Sequence, residues 1–156
     1  VTDIVDSTKV AVRLGDAAWK ELLARHNEGV RIQLDRFRGV EVYTTGDGFL
    51  AFFDGAARAV RCAAAVRDGA LQDGLQIRAG VHSGEVERDA GTLRGVAVHA
   101  VTRIAALANP SDVLVSAPTV SLLEGAGLRL EDAGEHELKG LAGARRVYRL
   151  IGLATD

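Results

Sequence analysis

Apolar positions recur along the chain at two different spacings, and the switches between them predict its elements. Val1–Val5 is apolar around Asp3 and predicts the tail of a strand, and Asp6, Ser7 and Thr8 follow with side chains suited to capping a helix. From Asp16 onward, Trp19, Leu22, Leu23, His26, Val30, Leu34 and Phe37 fall on one helical stripe, which Gly39 ends. Val40–Thr45 and Phe49–Phe53 are β-prone runs around Gly46-Asp47-Gly48, a hairpin signal. Ala56–Val66 predicts an alanine-rich helix whose small side chains suit close packing on a sheet. Leu75–His82 predicts a strand that Gly84–Glu87 continues after a turn, and residues 88–94 read as a polar loop.

The second half repeats the alternation. Gly95–Leu107 predicts a helix stopped by Asn109-Pro110, and Asp112–Ser116 a short strand. Pro118–Leu123 predicts a short helix with proline at its start. Leu128–Leu130 and Glu137–Leu138 read as strand pieces, and Val147–Ile151 as a closing strand. The order β-α-β-β-α-β in the first half predicts an α+β fold: a ferredoxin-like split βαβ sheet with helices packed on it.

Composition narrows the class. The 156 residues are 47% apolar, enough for one core, and read as a single domain spanning 1–156. Net charge is −2, which gives no support for a nucleic-acid partner or an anionic membrane surface recognised by bulk charge. The lone Cys62 cannot form an internal disulfide and reads as a buried small hydrophobe, which favours a reducing, cytoplasmic setting. No apolar run approaches the ~18–20 residues of a membrane span, so no direct membrane contact is expected. The opening Val1-Thr2-Asp3, without an initiator methionine, reads as a fragment of a longer protein.

Two carboxylates carry the most chemical interest. Asp3 interrupts an apolar strand, and Asp47 sits at a hairpin tip; a split βαβ sheet puts that strand beside that hairpin. Two carboxylates with backbone carbonyls suit Mg²⁺, which shares its shell with substrate phosphates. Equally, Asp-Gly is an ordinary turn and Asp3 could accept backbone donors from Ser7-Thr8. The helix start at Ser7 and Thr8 offers N–H groups to a phosphate, or is simply capped by Asp6 or Ser7. His99 and Arg103, four apart, share a helix face that suits a polyphosphate or merely solvent. Lys139, after a short strand, could reach a phosphate or lie on the surface. His26 reads as a satisfied core residue, His82 as structural, and His136 as a loop residue without a partner. No P-loop, G-x-S-x-G elbow, C-x-x-C or H-E-x-x-H occurs.

Together these segments resemble the class III nucleotidyl cyclase catalytic domain, of the bacterial adenylyl cyclase type. The resemblance rests on Thr2-Asp3-Ile4-Val5-Asp6-Ser7-Thr8, Thr44-Thr45-Gly46-Asp47-Gly48 and Ala79-Gly80-Val81-His82-Ser83-Gly84-Glu85. It continues through Gly95-Val96-Ala97-Val98-His99-Ala100-Val101-Thr102-Arg103 and His136-Glu137-Leu138-Lys139-Gly140. It implies conversion of ATP to 3′,5′-cyclic AMP and pyrophosphate by a two-metal mechanism in a homodimer. Two divalent cations, Mg²⁺ or Mn²⁺, would be held by Asp3, Asp47 and the Ile4 carbonyl. The resemblance further implies phosphate contacts at Ser7, Thr8 and Lys139, ribose orientation by His99, and stabilisation of the α-phosphate by Arg103. Regulatory domains elsewhere in the parent chain remain open.

The sequence departs from that pattern at the base-reading positions. Tyr43 stands where ATP-using relatives commonly carry Lys and guanylyl cyclases Glu, and Thr92 fills the second position. Glu85 replaces an arginine that some relatives direct at phosphate. Three alternatives follow: a weakly active or inactive nucleotide-binding and dimerisation module, a shifted purine preference towards GTP, and an unrelated ferredoxin-like protein-binding domain.

Overall fold

The computed structural model describes residues 1–89 and 91–153. Its elements are β1 (Thr2–Ile4), α1 (Ser7–Leu14), α2 (Asp16–Arg36), β2 (Val40–Thr44), β3 (Gly48–Phe52), α3 (Ala56–Gln72), β4 (Ile77–Val81), β5 (Glu87–Asp89), β6 (Thr92–Arg94), α4 (Val96–Leu107), β7 (Val113–Ser116), α5 (Ala117–Ser121), β8 (Leu128–Glu137) and β9 (Ala144–Leu153). Seven strands form one sheet in the order β2-β3-β1-β4-β7-β9-β8, and β5 and β6 pair separately. The first four strands are antiparallel in the order β2-β3-β1-β4, the split βαβ arrangement that the first half predicts. β4 and β7 run parallel, with α4 in the crossover between them.

The two faces of the sheet are covered unequally. Ile4, Phe49, Ile77, Ala79, Val113 and Val115 point towards α2 and α3, where they pack with Val30, Leu34, Val60 and Val66 as the main core. Cys62 belongs to this core, and burial pushes its thiol up to about 11, so it behaves as a small hydrophobe. The other face carries a smaller core of Ile104, Ala108, Leu114, Leu138 and Val147 under α4. Helix α4 lies very close to β4: a Cβ added to Gly80 would stand 2.6 Å from the Ala105 nitrogen. Glycine is what allows that approach.

The helix expected to start near Ser7 is α1, entered through Asp6 in a left-handed conformation (φ 52°). Several other expectations need correction. The segment read as a polar loop, 88–94, forms most of a hairpin, β5 and β6, so Gly84–Glu87 does not extend β4. The pieces at Leu128–Leu130 and Glu137 belong to one long strand that bulges between Asp132 and Glu135, and Leu138 lies just past its end. His136 therefore lies in a strand, where its Nε2 contacts the Ala133 carbonyl at 2.9 Å. His26 is buried as expected, yet among the described residues its Nε2 has no hydrogen-bond partner. His82 is structural: its Nδ1 meets Ser116 Oγ at 2.7 Å, and the chain of hydroxyls continues through Thr119 to Ser83. Among the described residues, no helix is long and apolar enough to cross a membrane.

Candidate active site

The site begins with a strand register. In β1, Thr2 pairs with Phe49 and Asp3 with Gly48, while on the other side Asp3 faces Arg78 of β4. Because side chains alternate along a strand, Asp3 points away from the main core that holds Ile4. Gly48 is small by necessity, since an added Cβ would sit 2.7 Å from the Thr2 carbonyl oxygen. The Ile4 N–H donates to the Asp47 carbonyl at 3.2 Å, which ties the hairpin turn to the strand. Thr45 closes the turn by donating its N–H to the Gly48 carbonyl at 2.9 Å.

The two carboxylates share one neighbourhood. Burial raises the Asp3 pKa above the ordinary aspartate value; Arg78 opposes that, and the negative charge of Asp47 adds to it. Arg78 Nε donates to Asp3 Oδ1 at 3.3 Å, with the two side chains 33% and 37% exposed. Asp3 thus takes its donor from Arg78 and not from the Ser7-Thr8 turn. Among the described residues, no three His, Cys, Asp or Glu side chains cluster as metal ligands. A cation here would rest on two carboxylates, with backbone, water and phosphate oxygens completing its shell. That donor set fits Mg²⁺ or Mn²⁺ and not a metal that needs a full protein cage.

The remaining candidates divide into two groups. Tyr43 is opposite Leu50 in the β2–β3 ladder, on the sheet face that carries Gly48 and Asp3, and is 50% exposed. Strand β2 also touches β6, which carries Thr92, so the two base-reading candidates lie on neighbouring elements. Thr92 is exposed and donates its hydroxyl to the Asp89 carbonyl at 2.6 Å. Ser7 and Thr8 open α1, whose N-terminus has no side-chain cap, so capping by Asp6 or Ser7 is not what holds it. Lys139 is exposed just beyond β8.

His99 and Arg103 lie on a different element from the acid pair, helix α4. Helix α4 buries Ala100, Val101, Ile104 and Ala105 against the sheet, so both residues are turned outward and exposed. A cavity of about 280 Å³ opens among Leu50, Phe52, Gly80, His82, Val98 and Val101, and neither Asp3 nor Asp47 lines it. The sequence reading missed Arg78. Its signal was a lone charge in the apolar run Leu75–Val81, but only the strand register reveals what it faces.

The family model described as the adenylate and guanylate cyclase catalytic domain matches residues 1–152. The chain belongs to that family. The Rhizobium meliloti (strain 1021) protein named "Putative adenylate cyclase 3" is 32% identical over 129 residues, which span 77% of this chain and 22% of that protein. The chain therefore corresponds to about a fifth of that relative. Among solved structures, the adenylyl cyclase CyaB from P. aeruginosa superposes with a TM-score of 0.87 at 21% identity, covering 97% of this chain and 91% of that one. The guanylate cyclase domain of RhGC from Catenaria anguillulae, solved with GTP, gives 0.83 at 20% identity, covering 97% and 93%. At these identities the superpositions establish the class III cyclase fold and leave the choice of purine open.

Proposed function

We propose that this cyclase domain is an adenylyl cyclase, which converts ATP to 3′,5′-cyclic AMP and pyrophosphate at a site shared by two copies of the chain. One observation carries the reading: the β1–β3 register and the Ile4–Asp47 hydrogen bond bring Asp3 and Asp47 into one electrostatic neighbourhood. Asp3, Asp47 and the Ile4 carbonyl would hold two divalent cations. Such ions, when bound, acidify an attacking hydroxyl and neutralise triphosphate charge.

The chain's own residues supply the rest. The uncapped N–H groups of Ser7 and Thr8 would receive terminal phosphate oxygens, helped by the helix dipole. His99 of the second chain would orient the ribose, so that its 3′-oxygen bonds to the α-phosphorus as pyrophosphate leaves and the hydroxyl proton is released. Arg103 of the second chain would stabilise the charge gathering on the α-phosphate. Lys139 would steady the triphosphate. Tyr43 and Thr92 of the second chain would read the adenine edge, with Thr92 accepting from its amino group. The outward aim of His99 and Arg103 supports a homodimer, because an exposed catalytic face needs a second surface to close it.

Tyr43 favours a second reading, in which turnover is weak or purine choice relaxed towards GTP. A half-exposed phenol on the acid-pair face lacks the charged donor of a lysine. Incubating the purified chain with ATP or GTP and Mn²⁺ or Mg²⁺, and measuring cyclic product, tests both readings. Cyclic AMP dependent on Asp47 supports the first, cyclic GMP as the main product supports the second, and no cyclic product overturns both.

A further inference from the structure

We propose that Arg78 is a built-in counter-ion of the acid pair, held on Asp3 until a divalent cation displaces it, so that it sets the cation affinity of the nucleotide-free site. This rests on the proposed reading of Asp3 and Asp47 as metal ligands. Three observations support it. Arg78 lies directly opposite Asp3 in the β1–β4 ladder and donates Nε to Oδ1 at 3.3 Å. The Arg78 side chain is only 33% exposed, so its charge is better accommodated beside a partner than alone. Among the described residues, Arg78 is the only side-chain cation in an ion pair with either carboxylate.

The geometry gives the guanidinium two effects. It offsets the repulsion between Asp3 and Asp47 while no metal is present. It also adds a positive charge where a divalent ion must arrive, and it claims one oxygen of Asp3. Arg78 is therefore a positioning residue that trades places with the cation.

The test is Mn²⁺ binding to the nucleotide-free full chain, read by the loss of the free-ion electron paramagnetic resonance signal. Arg78→Met should tighten Mn²⁺ binding on the order of tenfold, the scale of one removed charge a few ångströms away. Arg78→Lys keeps the charge and loses the fork, and should fall between wild type and Arg78→Met. Unchanged or weaker Mn²⁺ binding in Arg78→Met, with thermal melts showing an intact fold, would reduce Arg78 to a structural link. If Arg78→Met does not fold, binding by Arg78→Lys equal to wild type overturns the inference. Asp3→Asn and Asp47→Asn separate the two layers: Mn²⁺ binding that ignores both substitutions refutes the metal reading itself. Binding that needs both, yet does not respond at Arg78, refutes only the counter-ion.

Discussion

The Ile4 N–H and the Asp47 carbonyl are 3.2 Å apart and join the strand of one carboxylate to the turn of the other. That bond uses the backbone of Asp47, so its side chain can be removed without breaking the rung. Asp47→Ala should lower cyclase turnover on the order of a hundredfold or more. Stability should move by no more than about 0.5 kcal/mol, because Asp47 lies in a turn outside both cores. Turnover assays beside urea unfolding check this, and near-normal activity would refute the role of Asp47.

A shared site predicts complementation. Asp47→Ala and Arg103→Ala chains should each be inactive alone, and mixing them should restore cyclic nucleotide formation. In the mixed dimer one composite site keeps both intact groups. Heterodimers that form and stay silent would contradict the arrangement.

At Tyr43 the expectation is a gain. Tyr43→Lys should raise kcat/KM for ATP about tenfold, because an unmade hydrogen bond to a buried base edge costs about 1–3 kcal/mol. Preference for ATP over GTP should sharpen as well. An equal fall for both nucleotides, with weaker dimerisation, would move Tyr43 out of the base pocket.

Gly80 offers a test of packing alone. Gly80→Ala forces a Cβ to within 2.6 Å of the Ala105 nitrogen, so α4 must shift. Destabilisation of about 1–3 kcal/mol is expected from overpacking. Equilibrium denaturation measures it, and an unaltered midpoint would mean that α4 docks less tightly.

The histidines should make stability fall in mild acid. Burial lowers the pKa of His26; it also lowers that of His82, where nearby Arg145 adds to the effect. Near pH 6.5 and below, the unfolded chain takes up protons that the folded one refuses. The stabilisation is therefore complete above that range and is lost as pH falls, by at most about 1.4 kcal/mol per pH unit for each group. His26→Leu, which also removes an unpartnered buried nitrogen, should flatten the decline in part. Thermal melts between pH 5 and 8 read the slope; an unchanged slope would exclude His26 as its source.

Legibility followed the range of the forces involved. The α2 stripe and the β2–β3 hairpin could be read from local periodicity, and so could the split βαβ order. The hairpin at Glu87–Arg94 was hidden because its residues are almost all polar and exposed, which leaves no alternation to detect. β8 read as two fragments because its bulge interrupts a strongly polar run. The convergence of Asp3 and Asp47 could be anticipated from topology. The partner of Asp3 could not, because Arg78 is 75 residues away and meets it only through strand register.

Helix α4 shields the β4 and β7 side of its sheet face, while Asp3 lies one strand further along. Under a shared site, a solitary chain holds an acid pair that lacks the Arg103 of a second copy. Output per molecule then rises with crowding, since each added neighbour increases the share of chains that have met another. Dilution would silence the domain, and any attached module that gathers copies would switch it on. Recruitment, more than reshaping of a pocket, becomes the natural throttle.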